Sequence, residues 1–239
     1  MRFITLFLIL LLTPVVSAWN WDTHQAFDDS VYYRLDDNIK SKLNLGLMEY
    51  GSIIPDKEFK DFTRHSFPLA IKQAEYWIEK ARDNLHDGDY NNASLSFGIA
   101  SHYIVDSFSA PHSISGEEYE LHKEYEDQGS EDYTYVECIS ENFGLGDIIY
   151  TGSQQGKTWE GWVNTRDEKY PQSAVHDAGL YLTAVAMNVF NSSCETFETK
   201  FEKKEMAFEL WKLISTIVIC LLILYFAASL YKDLKDSRK

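Results

Sequence analysis

Two long, mostly apolar stretches of this chain carry no charge, and they frame everything between them. After Met1 and Arg2 the run FITLFLILLLTPVVSA carries no charge, and the small residues Val16 and Ala18 are set for cleavage before Trp19. A basic start followed by a short apolar core predicts a signal peptide over 1–18. Near the other end, LISTIVICLLILYFAASLY (213–231) is again uncharged. As a helix it would reach roughly 28 Å at ~1.5 Å per residue, enough to cross a hydrocarbon core. The basic run KDLKDSRK that follows predicts a cytoplasmic tail. The expected organisation is a signal peptide (1–18), an ectodomain (19–209), a transmembrane helix (210–231) and a cytoplasmic tail (232–239). That describes a single-pass cell-membrane protein with its folded part outside.

Within 19–209 the apolar positions recur at helical spacing. PLAIKQAEYWIEKARDNL (68–85) places Ala70, Ala74, Trp77, Ile78 and Ala81 on one stripe behind Pro68. NNASLSFGIASHYIVDSFSA (91–110) opens on Asn and Ser and stops before Pro111. HDAGLYLTAVAMNVFN (176–191) is a third striped helix, followed by the charged FETKFEKKEMAFE. Residues 20–37 predict a first helix and 119–128 a short one. The Gly-rich stretch 129–170, with Trp159 and Trp162, reads as a long irregular excursion. No segment alternates cleanly enough for a sheet, and no repeat is visible. The fold class predicted is all-α: one multi-helix domain, with helix 91–110 at its centre.

Composition narrows the function. Aromatic residues make up 15% of the chain, which excludes disorder as its main state. The formal net charge is −15. Within 19–209 there are 16 cations against 35 acids, a net −19. Such a field repels polyanions, so no extended nucleic acid is expected as a partner. Cys220 falls in the apolar span, which leaves Cys138 and Cys194 as a plausible disulfide in an oxidising compartment. Asn92 and Asn191 fit the glycosylation acceptor pattern.

Five of the seven histidines fall into a pattern. His102 and Asp106 are four apart on one predicted helix, hence on one face. His112 follows Pro111, and His122 and Glu126 are again four apart. Farther upstream lie His24, Asp56 and His65. An imidazole and a carboxylate one turn apart offer two ligands to one cation, a set suited to zinc. Ser101, His102, Asp106 and Ser109 also interrupt an otherwise apolar helix, and buried polar groups need partners. His86 and His176 look like surface histidines and stay outside the expected site.

SFGIASHYIVDSFSAPH followed by LHKEYED resembles the signature of zinc-dependent phospholipase C enzymes, which share a fold and a three-zinc site with secreted single-strand-specific zinc nucleases. The motif reads His102, Asp106, His112, His122, Glu126. The resemblance implies three zinc ions. Trp19, freed by signal cleavage, would bind one through its α-amine and carbonyl, together with His24. Asp106 would bridge that ion to a second held by Asp56, His65 and His102. His112, His122 and Glu126 would hold the third. Asp56 would be both ligand and catalytic base. The Asp56-to-His65 spacing is shorter than the family pattern, which leaves Asp61 as the alternative carboxylate. The short Trp19-to-His24 gap is nearer the nuclease branch, whereas Glu126 in the last position is nearer the phospholipase branch. Tyr32, Tyr33, Phe59 and Phe67 are candidates for headgroup contact or for core packing.

The function expected is thus a membrane-anchored, extracytoplasmic zinc-dependent phosphodiester hydrolase, a phospholipase C cleaving phospholipid headgroup esters. A nuclease or nucleotidase with the same zinc cluster, and a non-enzymatic metal-binding ectodomain, are the alternatives. The sequence leaves the headgroup and the oligomeric state open.

Overall fold

The computed structural model describes residues 19–130, 138–139 and 143–194. The expected signal peptide, the stretch 195–209, the transmembrane helix 210–231 and the tail 232–239 lie outside the described residues. Among the described residues no helix is long and apolar enough to cross a membrane.

The described part is all-helical. Its one β-bridge, among these residues, joins Leu35 to Cys194. Helix α1 (Trp21–Arg34) starts where the Asn20 side chain accepts a hydrogen bond from the Thr23 amide, satisfying one of the free donors of the first turn. The short α2 (Asp37–Lys40) and α3 (Leu45–Ile54) follow, capped by Asp36 and Asn44. A π-helical turn, Pro55–Phe59, extends α3 and ends at Lys60, whose φ is +52°. Helix α4 (Leu69–His86) and helix α5 (Tyr90–Asp106) come next, the latter capped by Asp89. A 3-10 turn at Ala110–Ser113 leads to α6 (Tyr119–Ser130). Helices α7 (Leu145–Ser153), α8 (Trp159–Thr165) and α9 (Lys169–Val189) complete the domain.

Helix α5 is the axis of the core. Thirteen of its 17 residues are buried, including Phe97, Ile99, Tyr103, Ile104 and Val105. A helix buried on every side must be covered by neighbours, and α3, α4 and α9 supply the cover. The crossing with α3 is very close. A Cβ on Gly98 would sit 2.0 Å from the Met48 carbonyl oxygen, and one on Gly51 would sit 2.4 Å from the Leu95 carbonyl oxygen. Both obstacles are backbone, so neither can swing aside. Gly98→Ala is therefore expected to force the helices apart. Overpacking of this kind costs about 1–3 kcal/mol or more, and a thermal melt should register it as a drop of several degrees.

Three expectations need correction. Helix 91–110 stops at Asp106, because Ser107–Ala110 turns into the 3-10 segment that presents His112. The first helix ends at Arg34, with α2 separate from it. The supposed irregular excursion contains α7, a 3-10 turn and α8, and α9 begins at Lys169 rather than at His176. Trp162 is fully buried there, donating to the Gln128 side chain at 2.8 Å. Cys138 and Cys194 are disulfide-bonded, with Cα atoms 6.1 Å apart.

Candidate metal centre

Six segments converge on one buried cluster. His24 comes from the first turn of α1, Asp56 from the π-helical turn, and His65 from the loop before α4. His102 and Asp106 come from the last turns of α5. The 3-10 turn brings His112, and α6 brings His122 and Glu126. His24, His102 and Asp106 are fully buried, while Asp56, His65, His122 and Glu126 are nearly so.

Asp106 is the hub. Its Oδ1 lies 3.3 Å from His24 Nε2. Its Oδ2 lies 2.7 Å from His65 Nδ1 and 3.1 Å from His102 Nε2. Asp56 Oδ1 is 3.6 Å from the Nε2 atoms of both His65 and His102. On the other side, Glu126 Oε1 lies 3.0 Å from His122 Nε2 and 3.5 Å from His112 Nε2. Four triads have potential ligand atoms within 4.8 Å of one another: His24–His102–Asp106, Asp56–His65–His102, His65–Asp106–His112 and His112–His122–Glu126.

Ionisation follows from burial and these neighbours. Burial disfavours charge on Asp106, yet the imidazoles of His102, His24 and His112 hold its carboxyl well below the usual range. Asp56 is pushed up to about 6 by burial and by the nearby charge of Asp106. Burial would lower His65, but its hydrogen bond and charge pairing with Asp106 raise it to about 9. His122 is likewise raised to about 9 against its burial, by Glu126 and Glu117. Burial, reinforced by the neighbouring imidazoles of His24 and His65, carries His102 well below its ordinary value despite Asp106.

The residues present fit divalent cations. Both oxygens of Asp56, Oδ1 of Asp106, both ring nitrogens of His24 and the Nε2 atoms of His65 and His112 are buried with no hydrogen-bond partner. Orphaned polar atoms at this density are costly, and a cation set between them would satisfy them together. His102 is already oriented for the task. Its Nδ1 lies 2.7 Å from the Ser52 carbonyl oxygen, and only a protonated Nδ1 can donate there. Nε2 is then left with a lone pair facing the cluster, the outer-partner arrangement usual for ligating histidines. Nitrogen and carboxylate donors in sets of three match zinc.

Asp61, the alternative to Asp56, does not join the cluster. It accepts a hydrogen bond from Tyr103 at 2.9 Å and pairs with Arg64 at 2.8 Å. Trp19 is fully buried, with its ring 6.2 Å from that of Tyr125 on α6. His86 and His176 are exposed and belong to none of the triads. Of the buried serines, Ser101 donates to the Gly98 carbonyl and Ser109 to Glu126, both within 2.8 Å. Protein atoms therefore satisfy these hydroxyls. Ser109 and the Ser52 carbonyl act as supports that sequence spacing alone could not single out.

A cavity of about 330 Å³ opens beside His112, lined also by Ser66, Phe67, Ser113, Ile114, Ser115 and Ser153. A larger one, about 410 Å³, lies among α4, α7 and α9 and touches none of the cluster residues. Of these two, the smaller reaches a potential ligand of the triads, at His112.

The family model for zinc dependent phospholipase C matches residues 23–177. No curated protein matches the chain. Among solved structures, the chain is similar to the alpha-toxin of Clostridium perfringens isolated from avian strain SWCP, with a TM-score of 0.53 and 14% sequence identity. The similarity covers 72% of this chain and 64% of the toxin chain, so this protein spans under two thirds of the toxin's length. At that identity the likeness speaks for the fold. The family match covers more than half of the chain and every cluster residue from His24 to Glu126, and the chain accordingly belongs to the zinc-dependent phospholipase C family.

Proposed function

We propose that the chain is a membrane-anchored, extracytoplasmic phospholipase C that cleaves phospholipid headgroup esters with about three zinc ions. The observation that carries this reading is the convergence of eight buried or half-buried His, Asp and Glu side chains into four overlapping triads beside one open cavity. The assignment of ligands is that implied by the family resemblance: Trp19 and His24; Asp56, His65 and His102, with Asp106 shared; and His112, His122 and Glu126. The uncharged 213–231 segment would hold the domain near its substrate and raise the effective concentration of both.

Zinc would supply Lewis-acid charge for the phosphoryl oxygens and a water of lowered pKa. The chain's own residues do the rest. Asp106, kept ionised by its imidazole neighbours, presents its two oxygens in different directions, to His24 on one side and to His65 and His102 on the other. Asp56, whose Oδ1 lies 3.6 Å from the Nε2 atoms of both His65 and His102, would be the group to take a proton from an attacking water, as the family resemblance implies. Ser109 and His122 fix the rotamer of Glu126.

A panel assay tests the reading: zinc-loaded protein on phospholipids, single-stranded DNA and 3′-nucleotides. Turnover is expected on phospholipid; turnover on nucleic acid or nucleotide alone would assign the chain to the nuclease branch. Zinc retention offers a second check. At a free zinc concentration ~1,000-fold above the dissociation constant, each site adds about 4 kcal/mol to stability. Chelation should then lower the melting temperature by ~10 °C or more, at ~2–4 °C per kcal/mol, with zinc content followed by elemental analysis.

A further inference from the structure

Exposed aromatic side chains gather in one zone of this acidic protein. Phe59, Phe62, Phe67 and Leu69 are each at least 42% exposed. All belong to the segment between Asp56 and the start of α4, and that same segment turns His65 into the cluster. One stretch of chain thus carries the cluster residue His65 on its inner side and apolar residues on its outer side. Phe59 stacks on Trp77 with ring centres 5.8 Å apart, and Tyr76 meets Trp77 edge-on at 5.1 Å. Phe67 meets Tyr150 at 5.5 Å and lines the cavity beside His112.

The charge of this zone differs from the rest. Residues 57–80 carry five cations against four acids, in a chain of net charge −15. Lys60, Lys72 and Lys80 are exposed, interspersed with the exposed Glu58, Glu75 and Glu79, and Lys80 Nζ lies 5.8 Å from the centre of Tyr76. Arg64 is paired with Asp61, which leaves the lysines as the outward cations. Clustered exposed apolar groups mark an interaction surface. Aromatic rings interleaved with lysines suit the interfacial layer of a bilayer, where rings sit at headgroup depth and ammonium groups reach phosphate. A protein seated here would cover the cavity beside His112. A bilayer would deliver substrate to it.

We propose that the Phe59–Leu69 segment, with Tyr76, Trp77 and Tyr150, seats the domain on a phospholipid bilayer with the cavity mouth turned towards the headgroups. The orientation of the mouth rests on the phospholipase reading; the seating itself does not.

The test uses the full chain carrying Cys220→Ser and a polarity-sensitive probe on a single new cysteine: Phe62→Cys, Leu69→Cys or, at the exposed far end of α4, Asp87→Cys. Phosphatidylcholine vesicles containing nitroxide lipid supply the quencher. Probes at 62 and 69 should be quenched and the probe at 87 should not. Equal quenching at all three positions overturns the proposal. So does shielding of 62 and 69 that follows protein concentration without lipid quenching, which would assign the surface to a second copy of the chain. In a second measurement, the Phe62→Ser, Leu69→Ser double variant should lose about tenfold of its turnover on vesicles, given the apolar area withdrawn from the interface. Its turnover on a monomeric short-chain phosphatidylcholine should be unchanged, and an equal fall on both substrates counts against the proposal. Position-specific quenching without any phospholipid turnover would keep the surface and remove the phospholipase reading.

Discussion

Asp106→Asn protein is expected to bind about two fewer zinc ions than the unaltered chain and to lose nearly all hydrolytic activity. The reason is geometric. Oδ1 and Oδ2 of Asp106 serve different partners, His24 on one side and His65 and His102 on the other. An amide keeps the shape but removes the charge, and its nitrogen cannot ligate. Loss of an outer partner alone typically costs 10–100-fold in metal affinity or activity, so loss of a shared ligand should exceed roughly 100-fold. Glu126→Gln is the internal comparison. It touches only the group with His112 and His122, and should release a single ion with a smaller fall in activity. Asp106 is also fully buried among imidazoles, and breaking a buried ionic contact by removing one partner costs about 3–5 kcal/mol. The asparagine variant should therefore melt below the glutamine variant, while circular dichroism shows both still helical. Unchanged zinc content in Asp106→Asn would end the shared-ligand reading.

How much of this was legible in the sequence depends on what each residue packs against. Helices α4 and α5 announced themselves by periodicity, and the pairs His102/Asp106 and His122/Glu126 by their four-residue spacing. Helix α3 did not, because LGLMEYGSII is apolar on more than one face and shows no single stripe. In the structure Gly51 is there for the close crossing with Gly98, not for a turn. The Gly-rich reading of 129–170 hid α7. A Cβ on Gly152 would come within 2.6 Å of Ser107 Oγ, so that glycine also serves proximity. Spacing could not choose between Asp56 and Asp61 either. That choice is made by the π-helical turn, which points Asp56 at His65 and His102, and by Tyr103 and Arg64, which hold Asp61 elsewhere.

Extending the mature chain by one residue ahead of Trp19 is expected to cost one zinc ion and most of the activity, with little change in helix content. On the reading proposed above, the Trp19 α-amine is a ligand only once freed by signal cleavage. The structure holds that end of the chain in place by its neighbours. The Trp19 ring is buried against Tyr125, and Asn20 caps α1 so that His24 enters the cluster from the first turn. An amine anchored on both sides cannot shift to make room, and an amide nitrogen in its place is a poor donor to metal. Gly129 supplies an independent handle, since a Cβ there would lie 2.5 Å from Trp19 Cζ3. Gly129→Ala should displace the ring, and the amine with it, while leaving the identity of every ligand residue unchanged. The Met-extended protein, Gly129→Ala and His24→Ala should then share one phenotype: one zinc lost, by elemental analysis, and turnover sharply reduced. Combining the extension with His24→Ala should add little, because both remove the same ion and effects at one site do not sum. A terminus with no chemical part would tolerate the extra residue, and equal zinc content and turnover in the extended and authentic proteins would leave His24 bound to Asp106 alone.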